Sequence, residues 1–289
     1  MASYNRVAAV TGGNKGIGLA IVRQLALQYP KSSFNSGPFL IYLTARNQER
    51  GEKALQDIND DAQLKKAKAL KSDGGLAEIK YLPLDIDSQD SIKSFAEQIG
   101  KSHPKGIDFL INNAAVALDG FDADVVKKTL HSNYYGALEL TKHLLPHMVD
   151  GGRFVHLAST ASILDSKYSA SIRKRFLEAT ETRQITDLME EFTTAVEKND
   201  YKSNWPGAAY KVSKAGLAGL TKTMALENGD RVLINCADPG YVNTDMTKGR
   251  GTKTPDEGAQ LPVHLALGDI GGTHGKFWRH GEVSAWERV

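Results

Sequence analysis

Residues 6–25 read RVAAVTGGNKGIGLAIVRQL, and this stretch decides the fold. An apolar run opens it, a glycine-rich turn follows, and apolar residues then recur at helical spacing. The pattern predicts a strand, a tight turn and a helix. Three glycines of the turn lack the Cβ atoms that would keep a ligand away from the backbone, namely Gly12, Gly16 and Gly18.

The start of the predicted helix is a suitable place for a pyrophosphate, because the first backbone N–H groups of a helix lack partners within it. The same glycine pattern also occurs as a structural turn in other α/β proteins, so the rest of the chain has to decide between the two interpretations. The turn lacks the Gly-Lys-Ser/Thr ending of a P-loop. The residues expected to contact a dinucleotide here are Gly12, Asn14, Lys15, Gly16, Ile17 and Gly18.

The composition argues against several classes of partner. The 289 residues carry a formal net charge of +2, from 36 Lys and Arg against 34 Asp and Glu, which does not favour nucleic acid or an anionic membrane surface. The single cysteine, Cys236, excludes an internal disulfide and fits a reducing compartment. The sequence contains no stretch of about 18 uncharged apolar residues, so we expect a soluble, cytoplasmic protein.

Predicted strands and helices alternate along the whole chain. This alternation predicts a single α/β domain over 1–289, a Rossmann-type doubly wound parallel sheet of about seven strands with helices on both faces. A charged stretch with helical spacing at about 165–205 is expected to be a helical insertion. After the first strand, predicted strands cover 39–44, 79–84, 109–115, 152–157, 232–236 and about 276–278. Further predicted helices cover 47–71, 88–99, 123–145, 208–226 and 255–267.

The end of the second predicted strand indicates which cofactor is preferred. Folds of this kind that bind NAD usually have an acidic residue there, but this chain has Arg46. Arg46 and Lys15 can flank a 2′-phosphate with charge-assisted hydrogen bonds, which favours NADPH, although both could instead be solvated surface charges. Asp85 could touch adenine or merely stabilise a turn. The contacts expected at the ends of the third and fourth strands are Asp85, Ile86, Asn113 and Ala114.

Tyr210 and Lys214 are four residues apart on a predicted helix, so their side chains leave the same face. This spacing alone is a weak signal. Together with other residues in chain order, it makes the chain resemble the short-chain dehydrogenase/reductase family over nearly its whole length. The others are the glycine turn, Asn113 with its neighbours, Asn133, Ser159 and the Pro239-Gly240 turn. Within the family the resemblance is to the monomeric, cytosolic, NADPH-dependent carbonyl reductases, through TGGNKGIGLAIVRQL, LTAR, LDID, NNAA, WPGAAY and PGYVNTDM.

Reduction of a carbonyl group needs a hydride donor for carbon and a proton for oxygen. Tyr210 can supply the proton, and the cation of Lys214 is expected to lower the pKa of the phenol from about 10. Ser159 would donate a hydrogen bond to the substrate oxygen. The resemblance implies that Tyr210 and Lys214 also contact the cofactor and that Asn133 organises the helix and a water. It further assigns the nicotinamide carboxamide to a segment containing Pro239, Gly240, Val242 and Thr244.

Two features depart from the usual pattern of the family that this chain resembles. Ala115 stands where the family usually has Gly, which adds a Cβ beside the cofactor. The interval from Ser159 to Tyr210 is much longer than in tetrameric members. In the carbonyl reductases a helical insertion here covers the surface on which subunits pair, so the resemblance implies a monomer. No metal site is expected, because His143 and His147 lack an HExxH pattern and an acidic ligand.

The predicted function is the reduction of ketones, aldehydes or quinones with NADPH, with Tyr210 as general acid. Two alternatives stay open. One is a protein that senses NADPH without turnover, which the retention of all four predicted catalytic residues disfavours. The other is a dehydrogenase that works mainly toward oxidation, which the expected preference for the 2′-phosphate disfavours.

Overall fold

The computed structural model describes residues 4–288 and, within them, contains one eight-stranded sheet. Its strands are β1 (Arg6–Val10), β2 (Phe39–Ala45), β3 (Ala77–Pro83), β4 (Ile107–Asn112), β5 (Met148–Leu157), β6 (Val232–Ala237), β7 (Phe277–Arg279) and β8 (Glu282–Val283). Their order across the sheet is β3-β2-β1-β4-β5-β6-β7-β8. The first seven strands are parallel, and β8 pairs antiparallel with β7. The predicted doubly wound parallel sheet is confirmed.

The eighth strand is an addition to the seven that the sequence predicts. It has two residues, too few to produce a periodic apolar pattern. It pairs with β7 through a tight turn at His280 and Gly281, which have φ angles of 55° and 88°. Positive φ at both turn positions is the type I′ geometry that joins two-residue hairpins, so the turn explains this strand.

Ten α-helices within residues 4–288 surround the sheet. None of the helices in this part of the chain combines the length and apolarity needed to cross a membrane. Their bounds are α1 (Gly16–Gln28), α2 (Gln48–Asn59), α3 (Ala62–Ala67), α4 (Gln89–Ser102), α5 (Ala123–Leu130), α6 (Ala137–Leu144), α7 (Ala170–Glu178), α8 (Thr182–Glu197), α9 (Ala209–Asn228) and α10 (Pro255–Leu267).

The residues of β1 show how the sheet is buried on both faces. Val7 and Ala9 belong to a hydrophobic cluster with residues of α4, α5, α6 and α9. Ala8 and Val10 belong to another, with residues of α1, α2, α3 and α10. Successive strand residues point to opposite faces, and both faces are covered. The strands are therefore continuous apolar runs, and this is why they can be recognised in the sequence.

Some predicted elements have different bounds in the structure. The predicted helix 47–71 is two helices, because the Asp61 side chain accepts hydrogen bonds from the backbone N atoms of Gln63 (2.9 Å) and Leu64 (3.1 Å) and so starts α3. The strand predicted at 109–115 ends at Asn112. The helix predicted at 255–267 has these bounds as α10, and a capping box of Thr254 and Glu257 starts it.

The helix predicted at 123–145 contains a π-helical segment, His131–Gly136, between α5 and α6. A Cβ placed on Gly136 would lie 2.5 Å from the carbonyl oxygen of Ile86, so this segment lies against the loop that follows β3. Short π-helical segments inside α-helices are frequent at functional sites. This segment carries Asn133.

The insertion predicted at about 165–205 forms α7 and α8. Helix α8 packs against α5 and α9. Aromatic residues fill its core: the ring centroid of Trp205 lies 5.3 Å from that of Phe192 and 6.3 Å from that of Phe176. The insertion therefore covers α5 and α9 and extends the hydrophobic cluster on that face of the sheet.

Residues 284–288, which we call the C-terminal segment, run beside the loop that follows β5. The backbone N of Leu164 donates to the carbonyl oxygen of Trp286 (2.9 Å), and Trp286 Nε1 donates to the carbonyl oxygen of Ser162 (2.8 Å). The ring centroid of Trp286 lies 5.9 Å from that of Phe176 on α7. The C-terminal segment thus joins the loop after β5 to the insertion.

Candidate active site

The glycine turn between β1 and α1 leaves no room for side chains. Gly12 has a φ of +61°, and a Cβ on Gly18 would lie 2.2 Å from the carbonyl oxygen of Gly12. Helix α1 begins at Gly16. The side chain of Lys15, the residue before the helix, makes no capping hydrogen bond in the described part of the chain. The first turn of α1, all of which the structure describes, also contains no acidic residue. The start of α1 therefore presents backbone N–H groups that suit an anion.

Thr11 attaches this turn to the end of β4. Its Oγ1 accepts hydrogen bonds from the backbone N atoms of Asn113 (3.0 Å) and Ala114 (2.9 Å) and donates to Asn112 Oδ1 (3.1 Å). Asn113 Nδ2 in turn donates to the carbonyl oxygen of Thr11 (2.9 Å). The predicted contact residues Asn113 and Ala114 are thus held directly beside the glycine turn. Thr11 and Asn112 were not predicted as site residues.

Asn133 holds the next part of the same loop. Its Oδ1 accepts from the backbone N of Val116 (2.8 Å), and its Nδ2 donates to the carbonyl oxygen of Val116 (2.9 Å) and to Ser213 Oγ (3.0 Å). The Ser213 hydroxyl donates to the carbonyl oxygen of Tyr210 (2.8 Å). Asn133 therefore links the loop after β4, which includes Ala115, to helix α9.

The two cations predicted to flank a 2′-phosphate are exposed but lie next to different carboxylates. Lys15 Nζ donates to Asp245 Oδ2 at 2.6 Å, and this contact lowers the pKa of Asp245. Arg46, which follows β2, lies 3.7 Å from Asp87 Oδ2, and its side chain is 65% exposed. The structure does not bring Arg46 and Lys15 into contact with each other. Since both side chains reach solvent, each can turn toward a phosphate.

Asp85 and Ile86 follow β3, at the edge of the sheet where Asn113 lies. Asp85 Oδ1 accepts a hydrogen bond from the backbone N of Asp87 (3.1 Å), which is the turn-stabilising interpretation of this residue. Ile86 is 9% exposed, and its carbonyl oxygen lies beside Gly136. A contact of either residue with adenine stays a prediction.

Tyr210 and Lys214 lie in the first two turns of α9, on one face, as their spacing predicts. Lys214 Nζ lies 5.7 Å from the centroid of the Tyr210 ring and donates to the carbonyl oxygen of Leu157 (2.7 Å). Lys214 is 2% exposed, and burial lowers its pKa to about 8. The lysine is thus anchored at the end of β5, directly beside the tyrosine.

Ser159 follows β5 and completes this group. Its hydroxyl accepts from the backbone N of Ala161 (3.1 Å) and lies close enough to the Tyr210 hydroxyl to lower the pKa of that phenol. Burial raises the pKa of Tyr210 to about 12, although the neighbouring Ser159 side chain opposes this. The pKa of Tyr210 is therefore raised in this structure, and the expectation of a value below about 10 is wrong. Burial disfavours the phenolate more strongly than the neighbouring groups stabilise it, and the amine of Lys214 is itself engaged by the Leu157 carbonyl.

The loop after β6 packs against the glycine turn. Val242 is buried, and Gly240 has a φ of +84°. A Cβ on Gly16 would lie 3.3 Å from Thr244 Cγ2. The predicted segment with Pro239, Gly240, Val242 and Thr244 therefore meets the start of α1 at the carboxyl edge of the sheet.

His156 is a buried polar residue of this region that the sequence interpretation missed. It pairs in register with Asn112 across β4 and β5, and its Nδ1 lies 3.1 Å from Asn112 Nδ2. Burial lowers the pKa of His156 to about 3, so the ring is neutral at physiological pH. The sequence signal that could have revealed His156 was a polar residue within the otherwise apolar strand β5, at the end of the strand nearest the predicted site.

The structure thus brings Asn133, Ser159, Tyr210 and Lys214 to one edge of the sheet, together with the glycine turn and the loop after β6. Over residues 4–288, the structure groups no three His, Cys, Asp or Glu side chains in a way that could hold a metal ion. Cys236 is buried in the core, at 1% exposure. The chemistry that this edge can support is proton transfer and hydrogen bonding to an oxygen beside an anion-binding turn.

A family model described as short chain dehydrogenase matches residues 6–172 and 200–255. The interval between the two matched ranges, 173–199, falls within the insertion formed by α7 and α8. The insertion is therefore an addition to the part of the chain that the family model describes.

Known proteins resemble the chain over nearly its full length. "Carbonyl reductase [NADPH] 1" of Pongo abelii is 36% identical over 303 residues, with 99% of this chain and 100% of the relative covered. The protein of the same name from Homo sapiens is 35% identical with the same coverage. The solved structure of salutaridine reductase from Papaver somniferum has a TM-score of 0.79 and 26% identity, and the match covers 94% of this chain and 99% of that one.

Proposed function

We propose, because this chain belongs to the short-chain dehydrogenase family, that it reduces ketones, aldehydes or quinones to alcohols with NADPH. As a member of this family it is an NADPH-dependent oxidoreductase. The observation that carries the proposal is one group of contacts. The Tyr210 ring lies 5.7 Å from Lys214 Nζ, and its hydroxyl lies beside Ser159 at the edge that carries the glycine turn.

The residues of this edge fit NADPH. The glycines keep this closely packed turn free of side chains, and the start of α1 offers N–H groups for a pyrophosphate. Arg46 and Lys15 are exposed cations that would hold the 2′-phosphate. The loop with Pro239 and Gly240 would hold the nicotinamide end. NADPH supplies, when bound, the hydride that the carbonyl carbon accepts.

Tyr210 is the proposed general acid. Because burial raises its pKa to about 12, the hydroxyl is protonated at neutral pH, which is the form that can donate to a carbonyl oxygen. Ser159 would donate a second hydrogen bond to the same oxygen and stabilise its developing charge. The ammonium of Lys214 would stabilise the phenolate that remains after proton transfer.

The direct test is to mix the protein with NADPH and a small diketone and to follow the absorbance of NADPH. We expect the absorbance to fall only when the carbonyl compound is present, and the alcohol to appear in equal amount. NADPH binding without this loss would instead support a sensing protein. Faster reduction of NADP with the product alcohol than oxidation of NADPH at neutral pH would support the oxidative direction.

We also propose that the protein is a monomer, because the insertion covers helices that would otherwise be free to pair. Helix α8 packs on α5 and α9 through a buried face that includes Ile185, Met189 and Phe192. We expect light scattering to give a mass near 31.5 kDa that does not change on dilution. A dimer or tetramer that persists at low concentration would contradict this proposal.

The compartment that we propose is the cytoplasm. The only cysteine in the sequence is buried and unpaired, which fits a reducing environment. The partner that we propose is a small carbonyl compound rather than nucleic acid or a membrane, as the near balance of charges favours.

A further inference from the structure

Asp238 is a buried carboxylate at the carboxyl end of β6, directly before Pro239. The residue is 4% exposed. A carboxylate in such a position is costly unless hydrogen-bond donors and an opposite charge surround it. The partners of this side chain therefore indicate what it does in the site.

Donors from separate parts of the site converge on this carboxylate. Thr160 Oγ1 donates to Oδ2 at 2.6 Å, and the backbone N of Gly240 donates to Oδ1 at 2.9 Å. Arg279 Nε on β7 lies 3.3 Å from Oδ2. Thr160 directly follows Ser159, and Gly240 lies in the loop proposed to hold the nicotinamide end. A single side chain thus joins the loop that carries the proposed hydrogen-bond donor to the loop that lies against the cofactor turn.

We propose that Asp238 is a positioning residue, which holds the Ser159 loop against the Pro239–Gly240 turn and, through Thr160, keeps its charge on the loop that carries Ser159. This inference rests on the proposed function. A negative charge disfavours ionisation of a nearby phenol, so Asp238 adds to the effect of burial, which raises the pKa of Tyr210. Arg279 partly offsets that charge. The other ionisable groups facing this region are Lys214 on α9, Cys236 on β6, and Lys253 on the loop after β6.

Charge variants give the test that separates this role from a merely structural one. Asp238→Asn keeps the size of the side chain and removes its charge, while Arg279→Gln removes the offsetting cation. The measurement is kcat/KM for ketone reduction as a function of pH, whose alkaline limb follows loss of a proton from the Tyr210–Lys214 pair. We expect this limb to shift to lower pH by about half a unit in Asp238→Asn and to higher pH in Arg279→Gln. Thr160→Val, a neutral control, should lower kcat about fivefold and leave the limb in place.

NADPH binding gives a readout without turnover. Asp238→Ala leaves the backbone N of Gly240 without its acceptor, whereas Asp238→Asn can still supply one. In a fluorescence titration we expect Asp238→Ala to bind NADPH about fivefold more weakly than Asp238→Asn does. Equal affinities would contradict the role in holding the loop.

Opposite movement of the alkaline limb in the two charge variants supports the inference, and an unmoved limb in both overturns it. Thermal denaturation shows whether each variant is folded. If Asp238→Asn does not fold, a shift of the alkaline limb to higher pH in Arg279→Gln supports the inference. No shift, or a shift to lower pH, overturns it. Wild-type protein without any turnover would overturn the proposed function and this role with it, whereas an active wild type with an unmoved limb overturns the role alone.

Discussion

Replacing Tyr210 by Phe is expected to reduce turnover by about 10²- to 10⁴-fold, the usual contribution of a general acid, while the affinity for NADPH stays near that of the wild type. The phenyl ring keeps its place on α9 and loses only the hydroxyl that lies beside Ser159. Lys214 keeps its anchor on the Leu157 carbonyl, so the binding surface is preserved. The measurement is NADPH oxidation at saturating carbonyl compound, together with a fluorescence titration of NADPH.

A matched control for this variant is Tyr201→Phe, which removes a phenol hydroxyl from the insertion rather than from the site. The Tyr201 ring packs against that of Phe121, with centroids 5.0 Å apart, and this contact does not need the hydroxyl. We expect Tyr201→Phe to keep wild-type turnover. If Tyr210→Phe were as active as the wild type, the assignment of Tyr210 as the acid would be wrong.

Replacing Arg46 by Ala is expected to weaken NADPH binding about tenfold and to leave NADH binding nearly unchanged. The guanidinium is 65% exposed and only loosely paired with Asp87, at 3.7 Å, so it is available to a 2′-phosphate. A hydrogen bond to a charged group contributes about 1.5–3 kcal/mol, and exposure to solvent reduces this toward about 1.4 kcal/mol, or a factor of ten. The measurement is the dissociation constant of each cofactor by fluorescence titration.

Arg50→Ala is the control for Arg46→Ala, because it removes another exposed arginine from the same region of the chain. We expect it to change neither affinity. A similar loss of affinity for NADPH and NADH in Arg46→Ala would show that the arginine does not distinguish the two cofactors.

The elements of the sheet could be predicted because both of its faces are buried. In β2 all seven residues are buried, so the strand appears in the sequence as one apolar run. The break between α2 and α3 was missed, since the long polar stretch around Asp61 hides a new helix start. The two-residue β8 depends on a turn and its pairing with β7, which a local pattern does not reveal.

The site was predicted where its signal is local and missed where it depends on contacts between distant residues. The spacing of Tyr210 and Lys214 within one helix places both on one face, and the structure agrees. Thr160 and Asp238 lie 78 positions apart in the chain, and no local sequence pattern predicts the hydrogen bond between them. The direction of the Tyr210 pKa shift was also beyond the sequence, because it depends on how deeply the finished fold buries the hydroxyl.

The C-terminal segment has a consequence for the engineering of related proteins. Trp286 packs its indole on Phe176 of the insertion and donates from its Nε1 to the loop that carries Ser159. A graft of this insertion onto a tetrameric scaffold would therefore leave one side of Phe176 bare unless residues 284–288 were transplanted with it. Phe176 and Trp286 lie 110 positions apart in the chain, yet the stretches that carry them would have to be moved together.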